Sequence, residues 1–167
     1  MDAEEPIVLD TSVLINYIHV DRLDLIAGCW AEIRVVEQVQ QELEYDEQRL
    51  VFERALAISQ IQVFSVDDPV LIADALKIYQ VDRRGKGESY SFVYASASNL
   101  PLAIDDKRAR SLFATKDATL KMCTSKDLMV KALRMGLVSV AEADEIKDIW
   151  ANQCRYRLKV ESFRDLL

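Results

Sequence analysis

Short apolar runs alternate along this chain with longer amphipathic stretches. Ile7-Val8-Leu9-Asp10 is an apolar run closed by an acid and reads as a buried strand; Thr11 or Ser12 is placed to cap a helix running to about Val20. A helical turn follows at Leu23–Ile26, and Ile33–Val36, short and β-branched, reads as a second strand. Val39 and Leu43, set among Gln and Glu, predict a helix over Glu37–Tyr45, and a longer one covers Arg49–Ser59. Ile61–Phe64 is the third strand. Asp67-Asp68-Pro69 then opens a helix that reaches Tyr79, proline being tolerated in a first turn. Behind the polar turn Asp82-Arg83-Arg84-Gly85-Lys86-Gly87, Glu88–Ser98 reads as a helix packed largely through small residues. Pro101–Ile104 predicts a fourth strand, Lys107–Thr115 a helix, and Leu120–Cys123 a short fifth strand. A helix over Lys126–Met135 ends at Gly136, another covers Val140–Asn152, and the tail beyond fits either a strand or a helix.

Strands alternating with helices predict an α/β fold. The expected architecture is a three-layer αβα sandwich around a central, mainly parallel sheet of about five strands. Residues 1–167 read as a single domain, with 126–167 as a C-terminal helical extension; no repeat, low-complexity tract or linker interrupts them. Half of the 167 residues are apolar, with only 4 Gly and 3 Pro, which excludes collagen-like, disordered and disulfide-scaffold classes. No apolar run approaches the roughly 18–20 residues of a membrane span. The opening Met1-Asp2-Ala3-Glu4-Glu5-Pro6 is acidic rather than basic, so the expected compartment is the cytoplasm.

Cys29, Cys123 and Cys154 form no C-x-x-C pair and His19 is the only histidine, which argues against a zinc site and against His-dependent nucleophilic catalysis. Chemistry here should run on carboxylates. Net charge is −7, but it is unevenly spread. Asp82–Arg134 carries 11 Lys/Arg, among them Arg83, Arg84, Lys86, Lys107 and Arg108, against 6 acids; that segment is +5 and the remainder −12. A positive region inside an acidic chain is able to hold phosphates.

Ligands of parallel α/β sheets bind outside the carboxyl ends of the strands. Asp10 closes the first strand and Asp105-Asp106 the fourth, so both emerge on one rim whatever the strand order. Glu42 falls about a turn and a half into the helix after the second strand, and Glu88 in the first turn of the helix leading to the fourth. Clustering of Asp10, Glu42, Glu88 and one or both of Asp105 and Asp106 is sterically reasonable. Crowded carboxylates raise one another's pKa unless a cation neutralises them. Mg²⁺ or a similar hard ion takes such oxygen ligands, and one or two of them would promote hydrolysis of a phosphodiester.

These stretches resemble the motifs of PIN-domain nucleases. Ile7–Leu14 resembles their opening, and Val36–Leu43 the second motif, in which a helix supplies a Glu. Gly85-Lys86-Gly87-Glu88-Ser89 resembles the third in a Gly-Glu variant, and Leu102–Arg110 the fourth. Thr124–Leu128 and Lys131–Leu137 resemble the VapC-like prokaryotic branch. The resemblance implies a Mg²⁺- or Mn²⁺-dependent endoribonuclease, the toxin of a toxin–antitoxin pair. It would act on RNA as a homodimer and bind a small antitoxin. Asp10, Glu42, Glu88 and Asp106 would be the catalytic acids and metal ligands, with Ser12 orienting a water. Asp105 stands beside Asp106 where the family more often shows a single Asp after a Thr, so either is eligible as the ligand.

Two alternatives remain. The altered fourth motif and the net −7 charge fit a PIN-like scaffold that binds or regulates without catalysis. A strand ending in Asp-Thr also opens phosphatases of the haloacid-dehalogenase type, but those want an Asp where this chain has Ser12.

Overall fold

The computed structural model describes residues 5–167. Its elements run β1 (Ile7–Leu9), α1 (Thr11–His19), α2 (Asp24–Ala27), β2 (Ile33–Val36), α3 (Glu37–Gln41), α4 (Asp46–Ala57), β3 (Ile61–Phe64), α5 (Pro69–Gln80), α6 (Lys86–Ser98), β4 (Leu102–Ala103), α7 (Lys107–Lys116), β5 (Met122–Cys123), α8 (Ser125–Arg134) and α9 (Val140–Gln153), closed by a 3-10 turn at Phe163–Leu166. The strands form one five-stranded sheet in the order β3-β2-β1-β4-β5. Every pairing is parallel: Val8 lies opposite Arg34 on one side and Leu102 on the other. The expected three-layer α/β sandwich is therefore present, its sheet wholly rather than mainly parallel.

A parallel sheet must be covered on both faces, and β1 is buried along its whole length. Helix α6 packs over β1, β2 and β4, flanked by α3 and α5. Elsewhere α1 packs with α4 and α8, and α8 with α2 and α9. Trp150, Tyr17, Phe52, Phe113 and Phe163 are the largest fully buried side chains, and aromatics of this size dominate core energetics.

Several local expectations are corrected. Asp10, not Thr11 or Ser12, caps α1. Helix α3 stops at Gln41, so Glu42 is its C-terminal cap rather than an interior residue. Helix α6 is packed by aromatics as much as by small residues: Tyr90 and Phe92 are buried, and Phe92 stacks on Phe113 with ring centroids 4.3 Å apart. Tyr94 accepts a hydrogen bond from Arg34 (3.2 Å) and its ring lies 5.5 Å from that of Phe64. The physical reason is that α6 has neighbours on several sides, and its large rings meet α7 through Phe113 and β3 through Phe64. Gly136 ends α8 as expected, at φ +71, a left-handed conformation glycine adopts without strain.

Candidate active site

Chain order moves from β1 outward to β2 and β3 on one side and to β4 and β5 on the other. That reversal opens a crevice at the carboxyl ends of β1 and β4, where Asp10 and Asp105-Asp106 emerge. Asp10 is 1 % exposed. Its Oδ2 accepts from the Ser12 N–H (3.3 Å) and the Ser12 hydroxyl (2.7 Å). Its Oδ1 is buried and meets no donor among the described residues. Burial is the main reason its pKa is pushed up to about 7; the Glu88 charge adds to the rise and the Ser12 bonds oppose it.

Glu42 reaches the same rim from the end of α3. Its Oε1 accepts from the Gly87 N–H (2.8 Å) and its Oε2 from the Thr11 hydroxyl (2.5 Å). A Cβ on residue 87 would lie 2.5 Å from both Glu42 Oε2 and Thr11 Oγ1, so any larger residue would push these two side chains out of their present bond. Glu88 follows on that turn, its Oε2 accepting from the Gly85 N–H (3.1 Å). Burial raises the Glu88 pKa and the charges of Asp106 and Glu42 raise it further, against the Gly85 bond and Arg84. Asp106 caps α7 through the Ala109 N–H (2.6 Å), with Arg84 Nη1 3.5 Å from the same oxygen. Glu88 thus lies within electrostatic reach of Asp10, of Glu42 and of Asp106.

Asp105 is placed differently. Its Oδ1 accepts from the Ser125 N–H (2.8 Å), and its Oδ2 from the Ser125 hydroxyl (2.6 Å) and Asn16 Nδ2 (2.9 Å). Both oxygens are committed to α1 and α8. Burial raises its pKa and the Ser125 bonds hold it down. Ser12 gives its hydroxyl proton to Asp10. Arg83, Lys86, Lys107 and Arg108 are exposed and Arg84 half-buried. They sit on the loop before α6 and the first turns of α6 and α7, beside Glu88 and Asp106 in the chain.

Among the described residues, no three Asp, Glu, His or Cys side chains are gathered closely enough to hold a metal ion as they stand. The donor chemistry nevertheless fits a hard divalent cation. It consists of carboxylate oxygens, one of them the buried and unpartnered Asp10 Oδ1. Local patterning singled out neither the hydroxyl of Thr11 nor the Asn16–Ser125 pair. Gly87 was noted in a polar turn and in the third motif, without its close approach to Glu42 and Thr11.

A wholly parallel α/β sheet with acids at the carboxyl ends of β1 and β4, on either side of its switch point, places its candidate chemistry where ligands of such sheets bind. A family model described as PIN domain matches residues 6–163, and the chain belongs to that family, whose members are in general nucleases. Curated proteins give no match. Among the described residues no helix is long and apolar enough to cross a membrane.

Proposed function

We propose that this chain is a ribonuclease that hydrolyses RNA phosphodiester bonds with Mg²⁺ or Mn²⁺, using Asp10, Glu42, Glu88 and Asp106. The observation that carries the reading is Asp10: a carboxylate removed from water, one oxygen without a donor, beside a second acid that raises its pKa. Such a group is costly unless a cation shares the site. A divalent ion held there supplies Lewis-acid polarisation of the phosphodiester and lowers the pKa of the attacking water. Asp10, Glu88 and Asp106 each keep an oxygen to which no described residue donates, whereas Glu42 is held by Thr11 and Gly87 and steadies the entry to α6. Ser12 fixes the orientation of Asp10. Asp105 serves the rim from behind rather than as a ligand. Arg83, Lys86, Lys107 and Arg108, exposed next to the acids, would bind flanking phosphates, giving salt-dependent affinity. Resemblance of the motifs to the VapC-like branch extends the proposal to a toxin acting in the cytoplasm as a homodimer, paired with a small antitoxin.

Cleavage of a labelled RNA, titrated with Mg²⁺ and Mn²⁺, tests the reading. Asp10→Asn is expected to reduce cleavage by about two to three orders of magnitude, the scale of losing one preorganised electrostatic group. Cleavage indifferent to both metal and Asp10→Asn overturns it. Calorimetry showing no Mn²⁺ binding at millimolar concentration would instead favour an inactive PIN-like binding module.

A further inference from the structure

Asp105 and Asp106 are adjacent in the chain but bonded in opposite senses, and the bonds around Asp105 continue deep into the molecule. Its carboxylate takes three hydrogen bonds from Asn16 and Ser125. On the main chain, Arg110 Nη1 donates to the carbonyls of Ile104 (2.9 Å) and Asp105 (2.8 Å). The peptide leaving β4 is therefore gripped from both its side chain and its carbonyls, immediately before the residue that faces the rim.

A second ring of contacts holds the first. The Asn16 carbonyl accepts from Trp150 Nε1 (2.9 Å), and the Ser125 carbonyl from the Tyr17 hydroxyl (3.0 Å). The Lys126 N–H donates to the Tyr156 hydroxyl (3.3 Å), which lies near enough to Asp105 to favour its ionised form. The rings of Tyr17, Trp150 and Tyr156 lock edge-on, with centroids 5.3 and 5.7 Å apart. Asn16 belongs to α1, whose first turn is capped by Asp10. One helix thus carries a rim acid at its start and, further along, the Asn16 that bonds the residue before a second rim acid, Asp106.

We propose that Asp105 is a positioning residue. Through Asn16 and Ser125, backed by Trp150 and Tyr156 at the end of α9 and beyond, it sets the direction in which Asp106 presents its carboxylate. The proposal rests on the rim being the site of Mg²⁺- or Mn²⁺-dependent cleavage. Helix capping explains only one of these bonds: Thr124 caps α8 by accepting from the Asp127 N–H (3.3 Å), the Ser125 N–H left over in that turn goes to Asp105, and the bonds from the Ser125 hydroxyl and Asn16 Nδ2 serve no helix end. Nor would an amide serve in place of the carboxylate. The Ser125 N–H and Asn16 Nδ2 are both donors, and an amide at position 105 would turn a third donor toward one of them.

The test uses the full chain with Asp105→Asn, the exchange Asn16→Asp/Asp105→Asn, and Tyr156→Phe. Two readouts are taken: kcat and KM for Mn²⁺-dependent cleavage of an RNA oligonucleotide, and the amide resonance of Ala109, which donates to Asp106 at 2.6 Å. Asp105→Asn is expected to move that resonance and lower kcat by about tenfold or more, with KM within about twofold, as supporting-shell changes do. The exchange variant returns the acceptor to the other side of the same bond and should recover both readouts. Tyr156→Phe, which removes a single oxygen, should move both the same way by less, and it carries the test if Asp105→Asn does not fold. An Asp105→Asn protein with a lowered melting temperature but unmoved Ala109 resonance and kcat has a merely structural aspartate, and the proposal is wrong. If the wild-type chain cleaves nothing, the nuclease reading fails, and the Ala109 resonance with its recovery in the exchange variant still decides the positioning role.

Discussion

Helix α7 begins on Asp106 and ends on Asp117, and the surroundings of its two ends differ in kind. At the far end every oxygen of Asp117 is supplied: Oδ2 accepts from the Ser96 hydroxyl (2.6 Å), and Oδ1 from the Thr119 N–H (2.9 Å) and hydroxyl (2.7 Å). Those donors, Ser96 first, draw the Asp117 pKa down to about 2. At the rim the sign reverses. Asp10, deprived of water and with a donor at only one oxygen, rises to about 7, and burial with the neighbouring acids raises Glu88. The lesson is one of accounting by oxygen. An aspartate whose lone pairs are all met by donors belongs to the scaffold, whereas one denied both water and donors marks where a cation gains most.

The sharpest way to break that contrast is pH. A carboxyl whose folded pKa is raised stays protonated in the folded protein while the unfolded chain has already ionised. The resulting penalty is absent below the unfolded value of 3.8, grows as pH rises, and is complete above about 7. At 1.36 kcal/mol per unit, the metal-free stability difference between wild type and Asp10→Asn should change by about 4 kcal/mol across that window, in favour of the variant at high pH. Denaturant unfolding at pH 4 and pH 8 in the presence of a chelator measures it. A difference that stays flat with pH would mean Asp10 is solvated and the rim is ordinary surface.

Next in size is steric. Gly87→Ala places a methyl against Glu42 and Thr11, and overpacking of this kind costs about 1–3 kcal/mol. It should also displace the Gly87 N–H from Glu42 and depress cleavage. Gly85→Ala is the internal control, because its Cβ would meet only the Glu88 side chain at ordinary contact distances of 3.6–3.8 Å. Equal effects of the two substitutions would show that the close approach at residue 87 is not what shapes the rim.

The fold was largely legible because its signals are local. Each strand is a short apolar or β-branched run; Asp10 directly follows one and Asp105-Asp106 follow another after a single intervening residue, which suffices to put both on one rim of a parallel sheet. Glu88 was legible from its place after the Gly85–Gly87 turn, although Glu42 proved to end its helix rather than lie within it. The difference between Asp105 and Asp106 was not legible. It depends on Ser125 and Asn16, 20 and 89 positions from Asp105 in the chain, and no periodicity encodes such pairings. The aromatic packing of α6 escaped for a related reason: Phe92 needs Phe113, supplied by a later helix. Sequence pattern reports which face of an element is buried, not which distant side chain fills it.

The smallest expected effect lies at the other end of α7. Ser96→Ala removes the leading donor to Asp117 while leaving both Thr119 bonds. Because the folded pKa of Asp117 is depressed, its contribution to stability is present above the unfolded value of 3.8 and is lost as pH falls toward about 2. The variant should therefore be slightly less stable than wild type at neutral pH and indistinguishable near pH 2, a trend opposite in sign to that of Asp10. Solvent screening keeps the difference small, since Asp117 sits at the surface. Metal-dependent cleavage should not change at all, because Ser96 bonds Asp117 and no rim acid. Acid titrations of wild type and Ser96→Ala, run beside the cleavage assay, check both halves. Were Ser96→Ala to slow cleavage as Asp10→Asn does, the division between donor-filled scaffold acids and donor-starved rim acids would have no mechanistic content.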